Sequence, residues 1–251
     1  MSPVETAALA LVLAILATMP AFALKSRHRT TDAEVAKRPA TVLLGFWVRD
    51  WFMWLLGPVE RPLVRARVSP DLLNYLGVGF GVAAAAAFVA NRLPVAGWMI
   101  TLSGVCDILD GRLARALGKV TDHGAFLDST LDRFAEAATF VGVAWVLAGR
   151  PWTVCATMLA MGGSLLVSYA RARGEALGVD CKGGVMQRAE RLVFLAVACF
   201  ADGAVTDGMG WQRGTLLAGS VSLIGVGSVG TAIYRTAKIA STLKHRDRGR
   251  L

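Results

Sequence analysis

Histidine and cysteine are scarce, and neither is arranged for metal or redox chemistry. The three histidines include no ligand-spaced pair, and Cys106, Cys155, Cys181 and Cys199 include no CxxC. That removes the usual sequence basis for a zinc site or a disulfide framework, and leaves the cysteines as small apolar packing residues. Charge is also sparse, at 18% of residues against 55% hydrophobic, with a mean hydropathy of +0.51. Basic and aromatic residues are not interleaved as they are where bases stack, so nucleic acid is not an expected partner. The first 24 residues contain no Lys or Arg. A-F-A at Ala21 to Ala23 looks like a cleavage site, but Glu5 precedes the apolar run and Lys25, Arg27 and Arg29 follow it, the reverse of a secretory signal. An uncleaved anchor with its N-terminus outside is expected.

What is present in abundance is long apolar sequence. Several runs approach the ~20 residues that cross a bilayer as a helix. The expected fold is all-α, a polytopic membrane helix bundle with a six-span core, an N-terminal anchor helix and an interfacial amphipathic helix. The anchor covers residues 1–24 and a polar linker 25–39. The interfacial helix covers 40–67, with Trp47, Trp51 and Trp54 at helical spacing and Gly57-Pro58 as an interruption. A short buried core helix is the alternative for that stretch. The six-span domain covers 68–241, and 242–251 is a basic cytoplasmic tail, expected to be disordered.

The spans are expected at about 72–90, 95–117, 125–148, from 151 to the "SYARARGEALG" stretch, around 192–200 with extension, and 215–239. With residues 25–39 on the cytoplasmic side, 24 of the 27 Lys and Arg fall on that side. Only Arg92, Arg150 and Arg213 fall on the other, as the positive-inside rule requires. "GVGSVG", Gly225 to Gly230, matches the dinucleotide fingerprint but lies inside a span, where no strand precedes it. Small-residue helix packing is the expected use, as for Gly77 and Gly81.

Four carboxylates interrupt this apolar chain. Asp107 and Asp110 are three apart, and Asp128 and Asp132 are four apart, so on helices each pair shares a face. The intervening "GRLARALGKVTDHG" is long enough for two antiparallel helices to bring all four together. An aspartate deep in a span costs about 2.5–3.5 kcal/mol on the insertion scale. Arg112, Arg115 and Arg133 do not suffice to neutralise four. Bound Mg²⁺, Mn²⁺ or Ca²⁺ suits hard oxygen donors, and two ions would balance the charge. Gly111, Ala114 and Gly124 leave room for a ligand, and with Arg115 and metal they suit a diphosphate. A salt-bridge cluster without metal and a divalent-cation transporter are the competing accounts. A transporter would place its acids nearer the midplane.

Asp107-x-x-Asp110-Gly111-x-x-Ala114-Arg115, eight residues, Gly124-x-x-x-Asp128-x-x-x-Asp132 resembles the signature of the CDP-alcohol phosphatidyltransferases. The resemblance extends over roughly residues 65–235. It implies transfer of a phosphatidyl group from CDP-diacylglycerol to an alcohol, with release of CMP. It further implies two Mg²⁺ ions (Mn²⁺ as an alternative) held by Asp107, Asp110, Asp128 and Asp132, with Asp132 also deprotonating the acceptor hydroxyl. Asp110, Gly111, Ala114, Arg115 and Gly124 would hold the CDP-lipid. A homodimer in the cytoplasmic membrane, with its active site facing the cytoplasm, is the expected assembly. "GAFLDSTLDR", "SYARARGEALG" and "VMQRAERLVFL" are similar to the prokaryotic phosphatidylinositol-phosphate synthases. That similarity implies inositol 1-phosphate as acceptor and Arg171, Arg188, Arg191 and Arg235 as its phosphate ligands. Glycerol 3-phosphate, inositol and serine are the other candidate acceptors. The chain departs from that subgroup at Gln187 and Ala189, where Glu and Pro are usual, and at Glu136, near a position often filled by Asp.

Overall fold

The computed structural model describes residues 3–26 and 45–248, and every regular element among them is helical. Most of the expected linker, the first residues of the interfacial stretch and the last three residues of the tail lie outside this set. The N-terminal run is not one helix. It breaks into α1 (Pro3–Leu16) and α2 (Met19–Ser26). Pro20 explains the break, because its ring clashes with the carbonyl four residues earlier, that of Leu16. Thr18 closes the end of α1 by donating its hydroxyl to Ile15 O at 2.7 Å. Together residues 5–24 remain long and apolar enough to cross a membrane.

The interfacial stretch forms α3 (Phe46–Arg65), and here the expected interruption is absent. The helix runs through Gly57 and Pro58, with Pro58 on its exposed side. Trp51 and Leu56 are buried, whereas Phe46, Trp47 and Val59 are exposed. The helix is thus half-buried.

Six helices follow: α4 (Pro70–Val89), α5 (Leu93–Ala116), α6 (Asp122–Val146), α7 (Pro151–Ala176), α8 (Arg188–Met209) and α9 (Thr215–Arg248). Ser69 and Pro70 open α4 as the sequence indicates, with Pro at the first helical position, where its missing N–H has no intrahelical use. α4 packs along both α5 and α6, α7 along α9, and α8 between α5 and α9. The apolar core includes Phe88, Ile100, Phe140, Val143, Leu217 and Ile224, each 1% exposed or less. Residues 242–248 continue α9 rather than forming a disordered tail.

Two glycines show how closely the spans approach. A Cβ on Gly81 would lie 2.8 Å from Ala135 Cα, so α4 and α6 touch backbone to backbone. A Cβ on Gly225 would lie 3.2 Å from Ala156 O, which makes the GVGSVG segment a packing surface for α7. Both contacts are within the chain.

Among the described residues, α1–α2, α4, α5, α7, α8 and α9 are long and apolar enough to span a bilayer. α6, at 25 residues, reaches about 37 Å but fails on composition. Asp128, Asp132, Arg133 and Glu136 fall in its first 15 residues, and Asp132 and Glu136 pair with arginines of α8.

At the end of the bundle away from these acids, Asp202 on α8 is fully buried. Its carboxylate accepts from Gly214 N at 2.8 Å, Leu216 N at 3.0 Å and Leu217 N at 3.4 Å, so it caps the start of α9 from another helix. Asp202→Ala is expected to cost about 2 kcal/mol, because buried amide N–H groups lose their acceptor. Asp202→Asn should cost less, since one carbonyl oxygen remains. Thermal unfolding in detergent measures both, and an Ala variant as stable as the parent would show that water caps α9 instead.

Candidate functional site

The four aspartates stand on a helical hairpin. α5 ends at Gly118, which adopts φ +65°, while Lys119 N donates to Ala114 O at 2.8 Å and Gly118 N to Arg115 O at 3.3 Å. That is a Schellman stop, which needs a left-handed residue where Gly118 stands. Three residues later Thr121 caps α6 by accepting from Gly124 N at 3.0 Å. Gly124 therefore serves the helix start, in the first turn below Asp128.

The hairpin brings one carboxylate oxygen from each of Asp107, Asp128 and Asp132 within 4.8 Å of one another. Asp110, one turn from Asp107, is 4% exposed and lines the same small cavity as Asp107 and Asp132. Its Oδ1 accepts from Gly111 N, while its Oδ2 is buried with no hydrogen-bond partner. Three of the expected ligands thus converge directly, and the fourth sits beside them with a free acceptor. Hard oxygen donors from two helices, one with an unanswered buried lone pair, fit a divalent cation. Asn74, Gly77 and Ser103 line the cavity too, and Ser103 donates to Gly77 O at 2.9 Å. Asn74 was not singled out from the sequence. Its signal was its place as a polar residue early in an apolar span.

Arg115 lies back across Gly111. A Cβ there would meet its Nη1 at 3.3 Å, so glycine leaves the guanidinium room. Ala114 is half-buried on the same side of α5 as the acids.

The four arginines do not form one open pocket. Arg188, the first residue of α8, reaches into the aspartates. Its Nη2 lies 2.8 Å from Asp132 Oδ1, its Nη1 donates to Asp132 O at 2.9 Å, and its Nε is 3.9 Å from Asp107 Oδ1. Arg191 is 2% exposed and bidentate to Glu136 at 2.6 and 3.1 Å, with a further bond to Met186 O. Arg235 is 4% exposed and donates to Gly183 O at 2.9 Å, Val167 O at 3.0 Å and Lys182 O at 3.4 Å, fastening the α7–α8 loop. Arg171 is exposed and pairs with Glu175 one turn on at 2.8 Å. The physical reason is the same for Arg191 and Arg235: a buried guanidinium must be satisfied, and here the chain itself supplies the acceptors. Glu136, noted in the sequence only as a departure, proves to be the partner of Arg191.

Residues 67–221 match the family described as CDP-alcohol phosphatidyltransferase. Phosphatidylinositol phosphate synthase of Cutibacterium acnes is 40% identical over 57% of this chain and 72% of its own length. The Streptomyces avermitilis protein of the same name is 36% identical over 85% of this chain and 88% of its own. A crystal structure of the Mycobacterium tuberculosis phosphatidylinositol phosphate synthase with CDP-DAG bound has a TM-score of 0.64 and 32% identity. It covers 72% of this chain and 92% of that one. The same protein has been solved in complex with manganese and citrate, with the same TM-score and identity over 72% of this chain and 87% of that one.

Proposed function

The chain belongs to the CDP-alcohol phosphatidyltransferase family, and we propose that it transfers the phosphatidyl group of CDP-diacylglycerol to inositol 1-phosphate, releasing CMP. It is a multi-pass membrane protein, and the reaction is assigned to the cytoplasmic face of the cell membrane, where most of its Lys and Arg would lie. The observation that carries this reading is the convergence of Asp107, Asp128 and Asp132 beside Asp110, on a hairpin whose remaining motif positions are Gly111, Ala114, Arg115 and Gly124. The names of the relatives support the choice of acceptor.

Asp107, Asp110, Asp128 and Asp132 would hold two divalent ions, Mg²⁺ with Mn²⁺ as a substitute. When bound, these neutralise the diphosphate and stabilise the charge that develops on departing CMP. Gly111, Ala114, Arg115 and Gly124 seat the CDP moiety, with the Arg115 guanidinium lying back across Gly111. Asp132 takes the proton of the acceptor hydroxyl as its oxygen bonds to the phosphatidyl phosphorus and the bond to CMP breaks. A carboxylate close to cations is a weak base by pKa alone, so placement carries much of the effect. Arg188 contributes to that placement, gripping Asp132 by both side chain and backbone oxygen. For the acceptor's phosphate, Arg171 offers an exposed guanidinium and Arg188 one that already stands at the aspartates. Arg191 and Arg235 hold the walls of the pocket. A homodimer is the assembly assigned to the enzyme.

The test is a headgroup panel on the purified full chain. CMP release from CDP-diacylglycerol is measured with inositol 1-phosphate, glycerol 3-phosphate, serine and free inositol. Release is expected with inositol 1-phosphate, total loss with EDTA, and recovery with Mg²⁺. Turnover of a different alcohol alone would refute the acceptor, and indifference to exhaustive chelation would refute the metal site. Metal flux without CMP release would favour a transporter.

A further inference from the structure

α5 has two working sides. Asp107, Asp110, Gly111 and Ala114 share one. Val105, Ile108, Leu109 and Arg112 share the opposite one, by the 100° step of the helix. On that second side α3 is packed, with Phe52, Leu56 and Leu63 in one apolar cluster with Val105, Ile108, Leu109 and Leu113. A polar latch adds to it. Arg112 Nε donates to Glu60 Oε2 at 2.8 Å, with the two side chains 16% and 18% exposed, and Arg112 Nη1 reaches Met53 Sδ at 3.5 Å. Arg112 stands inside the motif, directly after Gly111.

α3 is itself braced by the N-terminal segment. Trp51 Nε1 donates to Thr18 Oγ1 at 2.9 Å, at the break between α1 and α2. Phe22, 1% exposed, places its ring 5.6 Å from Trp47 and 5.7 Å from Trp54. The far end of α1 is fixed as well, because Glu5 Oε1 accepts from Arg213 Nη1 at 2.6 Å, just before α9. The segment outside the family-matched residues is thus held at both ends and leans on α3.

From these contacts we infer that Glu60 is a positioning residue for the nucleotide site. Through Arg112 it fixes the rotation of α5, so that Asp107 to Ala114 face α6, and Thr18 and Phe22 brace α3 in that post. The inference rests on the reading of Gly111 to Arg115 as the seat of the CDP moiety. Apolar packing alone tolerates sliding of one helix along another. A half-buried guanidinium–carboxylate contact has a direction and resists it.

The test compares Glu60→Gln and Glu60→Asp in the full chain by CMP release. Glu60→Gln is expected to raise KM for CDP-diacylglycerol about 5-fold while kcat changes less than about 2-fold and KM for the alcohol stays put. Glu60→Asp, which keeps the charge, should recover part of the loss. Phe22→Ala should move the same constant in the same direction by a smaller factor. An unchanged KM for CDP-diacylglycerol in Glu60→Gln would overturn the inference, as would a fall in kcat and folded protein with KM unmoved. Failure of the underlying reading is separately visible: Gly111→Val would then leave KM for CDP-diacylglycerol unchanged.

Discussion

Asp132→Asn is expected to lower kcat by about 10²–10⁴-fold while leaving CDP-lipid binding near that of the parent. The substitution is nearly isosteric. Arg188 Nη1 still finds the backbone oxygen of residue 132 at 2.9 Å, and Nη2 still finds a side-chain oxygen where it now lies 2.8 Å from Oδ1. The local fold has no reason to move. What disappears is the negative charge and the ability to accept a proton. On the proposed assignment, Asp107, Asp110 and Asp128 remain to hold metal. Turnover from CMP release and affinity from direct CDP-diacylglycerol binding separate the two effects. Turnover within about threefold of the parent would place the base elsewhere. Asp132→Ala is the less informative change, since Arg188 would lose its side-chain partner and could draw the start of α8 out of position.

The second large effect is on stability. Glu136→Ala is expected to destabilise the protein by about 3–5 kcal/mol, because it leaves Arg191 buried without its counter-ion. Arg191 is 2% exposed and Glu136 7%, and the pair joins α6 to α8 one helical turn beyond Asp132. Replacing both partners with apolar residues of similar size, Glu136→Leu with Arg191→Met, is expected to recover most of the loss. Unfolding midpoints in detergent for the single and double variants decide the matter. A single variant as stable as the parent would mean that the ion pair is compensated by neighbours. Recovery of stability in the double variant without recovery of turnover would show that the pair aligns α8, and with it Arg188, against the aspartates.

The helical segments and the acidic hairpin were legible because both depend on local chemistry. Apolar runs, Ser69-Pro70 and the three- and four-residue spacings of the acids act within one helix or one turn. The packing use of Gly225 was legible for the same reason. Pro20 and Gly57-Pro58 show where local signals diverge. Pro20 stands in the first turn of α2, where the first run breaks, whereas Pro58 and Pro62 lie inside α3, which continues through them. The destinations of the arginines were not legible. A long cationic side chain takes its partner from whatever tertiary contact is at hand, so Arg191, Arg235 and Arg188 share a composition-level signal yet meet a glutamate, three carbonyls and an aspartate pair. Glu60 escaped notice because its importance lies in Arg112, 52 positions away.

The polarity of α6 has a consequence for how the protein is made. Leaving the ribosome, this segment presents Asp128, Asp132 and Glu136 before any partner on α8 has been synthesised. Toward the interface each aspartate costs less than the about 2.5–3.5 kcal/mol of mid-bilayer, yet together these acids make α6 the one of the six helices after α3 that falls short of an apolar span. Shelter is at hand in α4, against which Gly81 and Ala135 close without a gap, and in the preceding arm of its own hairpin. Membrane entry of α6 is thus expected to lean on α4 and α5, which precede it in the chain.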